Sequence, residues 1–334
     1  MKMLVLLGLM VSTLAQANFV YMQETATGKA VMLKTSEDAP ATALSDVSSK
    51  DWALYPDITP DAQEVVFVEG PGQNDLHLTY KNLSKNITQR FLATNKGMIL
   101  HPKFSRNGRY IFYSAPGPKG KNTVFFFDRA EEVNRQGQGL LTYSLDKALA
   151  VDDSEESYFP RPSSDGSFVV YQRNTDGRKE IVLFDRIEQT KKVIAQGMSP
   201  ALSFDERYIA YTSKVNGNWD IYITNRNSGV SFRVTTDAAD EMASTFMKDN
   251  TLVFASNKSG HFRLFKQVQG KWISLTQDAP EAEVEQYSPQ FSGETMIRQE
   301  LKTPFIGDPR SSFGTVTHQG KLYMAGGHAG AEHT

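Results

Sequence analysis

From Leu54 onward, short apolar runs alternate with polar turns in an order that recurs along the chain. The copies read LYPDITPDAQEVVFVEG from Leu54, LHPKFSRNGRYIFYSAPG from Leu100, YFPRPSSDGSFVVYQRN from Tyr158 and MSPALSFDERYIAYTSK from Met198. Weaker copies follow: MASTFMKDNTLVFASNK from Met242 and YSPQFSGETMIRQEL from Tyr287. Pro56, Pro102, Pro160, Pro200, Ala243 and Pro289 mark one shared position, at spacings of 46, 58, 40, 43 and 46 residues. Proline is expected at the start of a first strand, where its missing N–H is tolerated. A polar turn follows at Asp61-Ala62, Asn107-Gly108, Asp165-Gly166 and Asp205-Glu206, residue types that accept left-handed or side-chain-bonded turn geometry. The second strand is nearly continuous apolar sequence, as in Val65 to Val68 and Phe168 to Tyr171, which predicts a strand covered on both faces. A third strand is carried by DLHLTYKN, NTVFFFDR, KEIVLFDR, WDIYITNR and FRLFKQVQ, and a weaker fourth by KKVIA, SFRVTT and WISLT.

Four short strands in every 40 to 47 residues is the arithmetic of a β-propeller blade, whose two faces are covered only when neighbours stack against it. The fold class is therefore all-β. The first mature residues, NFVYMQETATGKAVMLKTSED, run parallel in pattern to WDIYITNRNSGVSFRVTTDAAD, the third and fourth strands of a later copy. The last copy shows only a first and a second strand. The two ends thus complement one another, which predicts a six-bladed propeller with its last blade shared between the N-terminal and C-terminal strands and no free sheet edge at the junction.

HPKFSRNGRYIFYSAP, FPRPSSDGSFVVYQRN and NWDIYITNRNSG resemble the TolB-like propeller repeats, over about residues 18 to 301. The resemblance implies a binding module: propellers of this family bind other proteins, peptidoglycan-associated lipoproteins among them, through one face of the ring. TolB itself carries an α/β domain ahead of its propeller, and here the repeats begin at once after the leader, so the resemblance implies a TolB-like protein and not TolB. Similar repeats occur in oligogalacturonate lyases, which need a His cluster and a metal in the channel, and in the gating domain of prolyl-oligopeptidase-type enzymes, which need a separate hydrolase domain.

Outside the repeat, residues 1 to 17 read MKMLVLLGLMVSTLAQA, with a basic residue, a short apolar core and Ala15-Gln16-Ala17, the layout of a cleaved signal peptide. The apolar core is too short to span a bilayer. These features predict a periplasmic or secreted protein after cleavage near Ala17, without a transmembrane segment in the mature chain. The propeller is expected over residues 18 to 304. The long spacing between Pro102 and Pro160 marks an insertion from Arg129 to Glu156, with a short helix expected around Leu145 to Ala150. Its acidic end, Asp152, Asp153, Glu155 and Glu156, is either a solvated face or a binding loop for a cation or a basic partner. Residues 305 to 334 leave the pattern. GTVTHQGKLYMAGGHAG resembles a single kelch repeat, which cannot bury its faces alone, so the tail is either an appendage or the start of a further domain.

Composition narrows the chemistry. The 334 residues carry 36 Lys plus Arg against 38 Asp plus Glu, a net charge of −2 that leaves no footprint for nucleic acid. Zero cysteine removes disulfides, thiolate metal sites and Cys nucleophiles. There is no nucleophile elbow, P-loop, dinucleotide fingerprint or H-E-x-x-H motif, so no catalytic residue, cofactor or metal is assigned. His318, His328 and His333 fall close together but without a completing carboxylate. Residues beside the marker prolines are expected to reach the central channel: His101, Lys103, Arg161 and Gln290 are the candidate binding group, the alternative being plain blade-to-blade hydrogen bonding. The function expected is a non-enzymatic binding or scaffolding protein of the bacterial envelope with a protein partner, the alternative a lyase-like channel enzyme acting on a polysaccharide.

Overall fold

The computed structural model describes residues 18–25, 28–45, 52–71, 76–91, 98–129, 148–151, 155–214, 217–275, 285–291, 314–318 and 321–325, with the backbone alone at 24–25, 90–91 and from 285 onward. The strands in chain order are Phe19–Thr25 (β1), Gly28–Lys34 (β2) and Thr42–Ala43 (β3); Trp52–Ile58 (β4), Glu64–Gly70 (β5), His77–Asn82 (β6) and Ile87–Phe91 (β7); Leu100–Phe104 (β8), Tyr110–Pro116 (β9), Asn122–Asp128 (β10) and Leu149–Ala150 (β11). They continue with Glu156–Pro162 (β12), Phe168–Thr175 (β13), Arg178–Asp185 (β14) and Thr190–Gln196 (β15); Met198–Leu202 (β16), Tyr208–Lys214 (β17), Trp219–Asn225 (β18) and Ser231–Arg233 (β19). The remainder are Glu241–Phe246 (β20), Leu252–Ser256 (β21), Arg263–Val268 (β22) and Lys271–Ser274 (β23); Glu285–Phe291 (β24); Gly314–His318 (β25) and Lys321–Ala325 (β26).

The expected strand quartets form as antiparallel four-stranded sheets: β8 to β11, β12 to β15, β16 to β19 and β20 to β23. β4 to β7 pair in the same way, and a single parallel bridge, Lys29 to Trp52, links them to a group ordered β24-β1-β2 with β3 beside β2. Among the described residues no sheet closes on itself. β24 lies directly against β1, with Phe19 opposite Phe291. The N-terminal hairpin therefore takes the second and third places from β24, where the sequence pattern expects the third and fourth. The second strand expected at the end of the last copy lies outside the described residues, as do the signal peptide and most of the insertion. β25 and β26 pair only with each other among the described strands.

Each first strand contacts the next, β4 with β8, β8 with β12, β12 with β16, β16 with β20, β20 with β24, and β24 with β4. Between successive sheets lie separate apolar clusters. Val66, Val68 and Leu78 meet Ile111 and Tyr113. Phe112 and Val124 meet Tyr171 and Val182. Phe168 and Val170 meet Ile209 and Tyr211, and Ala210 and Ile223 meet Phe254. β1 and β2 serve two clusters by alternation: Phe19 and Tyr21 face Val253 and Leu264, while Val20 and Val31 face Val65 and Phe67. Val65 to Val68 are all 0% exposed, the two-sided burial that their unbroken apolar run predicts. Each such side chain contributes about 1.5–3 kcal/mol of burial, so the stabilising surface is between sheets rather than within them.

The turn after each first strand is a repeated hydrogen-bond motif. Ser203 Oγ donates to Asp205 Oδ1 at 2.7 Å and accepts from Tyr208 N at 2.9 Å. Thr59 with Asp61 and Glu64, Ser105 with Asn107 and Tyr110, and Ser163 with Asp165 and Phe168 repeat it. The hydroxyl supplies the acceptor that the tight turn denies the returning N–H, and the acidic or amide residue orients it.

Two further expectations are corrected. Leu149 and Ala150 pair with Phe126 and Phe125 as β11, in place of a short helix, because the outer edge of β10 offers an open ladder that a two-residue strand satisfies. The prolines do not start the first strands. They sit inside them, at a register shift present in every one: Leu54 to Asp57, Leu100 to Lys103, Tyr158 to Arg161, Met198 to Ala201 and Met242 to Thr245. A bulge leaves one residue out of the ladder, which is where a missing N–H costs least.

Candidate binding site at the inner strands

The bulges have a shared backbone signature. Tyr55, His101, Phe159, Ser199 and Ala243 have φ of 54, 54, 53, 51 and 52°, left-handed values that non-glycine residues rarely take. In four copies the next residue is the marker proline, and in the fifth it is Ser244. The equivalent of the prolines is thus Ser244, one residue after the Ala243 expected from the sequence. All five left-handed residues line one small cavity of about 30 Å3, together with Lys103 and Arg161. A second cavity of about 90 Å3 adjoins it, sharing Lys103 and Arg161 and bounded by Asp57, Arg106, Phe204 and Thr245.

One residue past each proline position, the copies present Asp57, Lys103, Arg161, Ala201, Thr245 and Gln290. The structure brings the first five of these together around the cavities. Lys103, 5% exposed, donates from Nζ to Asp57 Oδ1 at 3.1 Å and to the Pro56 carbonyl at 3.1 Å. The other Asp57 oxygen accepts from Phe104 N at 2.8 Å, so both carboxylate oxygens are engaged. Arg161 donates from one terminal nitrogen to its neighbour Pro160 O at 3.3 Å, while its buried Nε has no hydrogen-bond partner. Burial pushes the Lys103 amine down to about 7 against the pull of Asp57, with Arg161 lowering it further. Burial also pushes Arg161 down, to about 10, which leaves it charged at neutral pH.

His101 is 4% exposed and lies in an aromatic sandwich, 3.7 Å from the Phe159 ring and 4.3 Å from the Tyr55 ring. Its Nδ1 has no partner. Burial, then Arg161 and Lys103, hold it well below the usual imidazole range, so it is neutral. Arg106 lies over the Phe204 ring at 4.2 Å and donates to Ser203 O at 2.6 Å and to the Phe204 carbonyl, spanning from β8 to the turn after β16.

Of the residues singled out from sequence, His101, Lys103 and Arg161 thus converge, while Gln290 is described only through its backbone pairing with Val20. In the acidic stretch, Asp152 and Asp153 lie outside the described residues. Glu155 accepts from Arg173 at 2.9 Å, and Glu156 accepts from Tyr158 OH at 2.9 Å, which commits both to contacts within their own sheet. Sequence reading passed over Asp57, Tyr55 and Phe159, although superposing the copies on their prolines puts all three in register with the residues it named. It also passed over Arg129, Arg186 and Arg226, each directly following a third strand. Each donates to the carbonyl of a turn residue, Gly108, Gly166 or Glu206, and lies over an aromatic ring of the preceding sheet.

Among the described residues no group of three or more His, Asp or Glu is placed to hold a metal ion, and no helix is long and apolar enough to cross a membrane. No protein-family model matches the chain, and no curated protein matches it. Solved structures do. TolB from Acinetobacter baumannii is 17% identical with a TM-score of 0.64, over 83% of this chain and 66% of that one, so the chain spans just under two thirds of that protein. A putative TolB from Agrobacterium tumefaciens is 13% identical with a TM-score of 0.60, over 82% and 98%. A chain of a nidogen/laminin complex is 9% identical with a TM-score of 0.60, over 83% and 98%. At these identities it is the fold alone that is shared: the chain has a β-propeller fold similar to that of TolB.

Proposed function

We propose that this protein is an exported, non-enzymatic six-bladed propeller that binds a protein partner of the bacterial envelope through a face of the ring. The observation that carries the reading is the circuit of first strands from β4 to β24 and back to β4, which favours six blades with the last one shared by the chain's two ends. The TolB-like fold supports a binding role, and one propeller neighbour was solved within a protein complex. The leader ending at Ala17 supports export. A lyase reading has less behind it, since the inner cleft offers one neutral imidazole and one carboxylate already held by Lys103.

The test is affinity capture from envelope extract with the tagged mature chain, run beside a chain lacking residues 130 to 147. The deletion spares Arg129, which pairs with Glu64 at 2.9 Å, and β11. One dominant protein, competed away by untagged chain and retained by the deletion variant, is expected. Finding no competed protein would overturn the reading, and loss of capture in the deletion variant would move the interface from the ring face to the insertion. Export itself predicts a mature N-terminus at Asn18, checked by N-terminal sequencing of protein recovered from the periplasm or medium.

A further inference from the structure

The inner cleft holds an imbalance that the fold does not resolve. Of the five described residues that follow the proline position, two are basic, one is acidic and two are neutral. Both oxygens of Asp57 are engaged elsewhere: Lys103 bonds one and Phe104 N the other. Its single charge faces both Lys103 and Arg161, and it makes no hydrogen bond to Arg161. Arg106 spends its guanidinium on the carbonyls of Ser203 and Phe204. Arg161 is left with a buried, unpartnered Nε and only one long hydrogen bond, to its own neighbour's carbonyl. A guanidinium has five donors, and a buried donor left without an acceptor is costly for a fold to keep.

The surroundings are built to hold a small guest. Five left-handed backbone positions converge on the narrower cavity, a concentration of conformational strain of the kind found at ligand sites. The wider cavity, about 90 Å3, is about three times the roughly 30 Å3 that one water occupies in the liquid, enough for a group of a few heavy atoms. Lys103 still has a third ammonium hydrogen to offer, and neutral His101 stands behind it with a free Nδ1.

We propose that the cleft between β4, β8 and β12 binds an oxyanion, a carboxylate or phosphate group, held by Arg161 and Lys103. The guanidinium supplies planar, directional donors that suit two oxygens of one anion, and Lys103, an amine that a bound anion draws toward its protonated form, supplies a further donor at the seam of the two cavities. The site rests on the inner cleft being a binding site but not on the identity of any protein partner, so it is tested with small anions alone. If it binds them while envelope capture fails, the partner reading falls and the anion site stands.

The experiment is isothermal titration of the purified protein with inorganic phosphate, with acetate and with chloride at constant ionic strength. Phosphate or acetate is expected to saturate one site per chain and chloride to show no saturation. Arg161→Gln and Lys103→Met should each weaken binding about tenfold or more, the loss expected for a charge-assisted hydrogen bond. Arg109→Gln, at an exposed turn where Arg109 pairs with Asp128, should leave it unchanged. A preference for acetate identifies the guest as a carboxylate, and a preference for phosphate as a phosphoryl group. Saturation by neither anion, or equal affinity in Arg161→Gln, would overturn the proposal. Should the variants fail to fold, the wild-type protein decides: a phosphate titration followed through arginine Nε–H resonances must shift that of Arg161, and unmoved resonances would count against the site.

Discussion

At the scale of single residues, the most consequential burial outside the cleft is that of Glu241. Its side chain is fully buried between β20 and β18, with Oε1 accepting from Ser256 Oγ at 2.8 Å and Oε2 without a partner. Burial, reinforced by Asp237 and Asp220 and opposed by hydrogen bonds from Ser256 and Thr235, pushes its carboxyl up to about 7. The folded state therefore holds a proton between pH 4.5 and 7 that the unfolded chain has released, so wild-type stability gained from this group grows as pH falls through that window. Above pH 7 both states are ionised and the full cost of a buried charge remains. Glu241→Gln is accordingly expected to raise the unfolding free energy by about 1–3 kcal/mol at pH 8 and by nothing below pH 4.5. Urea unfolding at both pH values checks this, and a gain independent of pH would refute the assignment.

At the scale of elements, the tight turns and the arginines that follow third strands do the positioning. Gly166 has φ of +74°, and a Cβ there would come within 2.6 Å of the Tyr110 ring in the neighbouring sheet. Gly177 has φ of +75° and nothing within 4 Å of the same added atom. Gly177→Ala should cost about 1–2 kcal/mol, the left-handed penalty alone, and Gly166→Ala visibly more. Equal shifts in thermal midpoint would mean that Tyr110 moves aside freely. Arg186 sits 3.8 Å over the Phe126 ring and donates to the Gly166 carbonyl, joining two sheets through one planar group. Arg186→Lys should destabilise by about 1–2 kcal/mol despite the retained charge, because the ammonium cannot stack and donate at once. A lysine variant as stable as wild type in chemical denaturation would show that only the charge matters there.

At the scale of the whole molecule, the apolar clusters couple each sheet to the next, and β24 completes the circuit of first strands beside β1. Removing residues 285 to 334 leaves the β1 edge open and takes away the contact that β24 makes with β4 and β20. The truncated chain is expected to lose several kcal/mol and to self-associate through the bared edge. Size exclusion and a denaturation midpoint test this together. A monomeric truncation unfolding at the wild-type midpoint would show that closure contributes nothing.

The all-β class, the strand quartets and the turn after each first strand were legible in the sequence because they are local: a period-2 apolar run, an Asp-Gly or Asn-Gly turn and a repeat near 45 residues carry their own signal. Lys103, His101 and Arg161 were legible too, since a repeat puts equivalent residues at equivalent places. What only the tertiary structure decided depends on partners distant in the chain. The prolines sit at bulges rather than strand starts because a partner strand sets where an N–H is missed. Leu149 became strand because β10 had an edge to fill. That the two ends pair was expected from sequence, but the place of the N-terminal hairpin, directly beside β24, was set by pairing between segments far apart in the chain. And the cleft's shortage of acceptors appears only once Asp57, 46 residues from Lys103, is seen to bond Lys103 and not Arg161, whose buried Nε stays unpartnered.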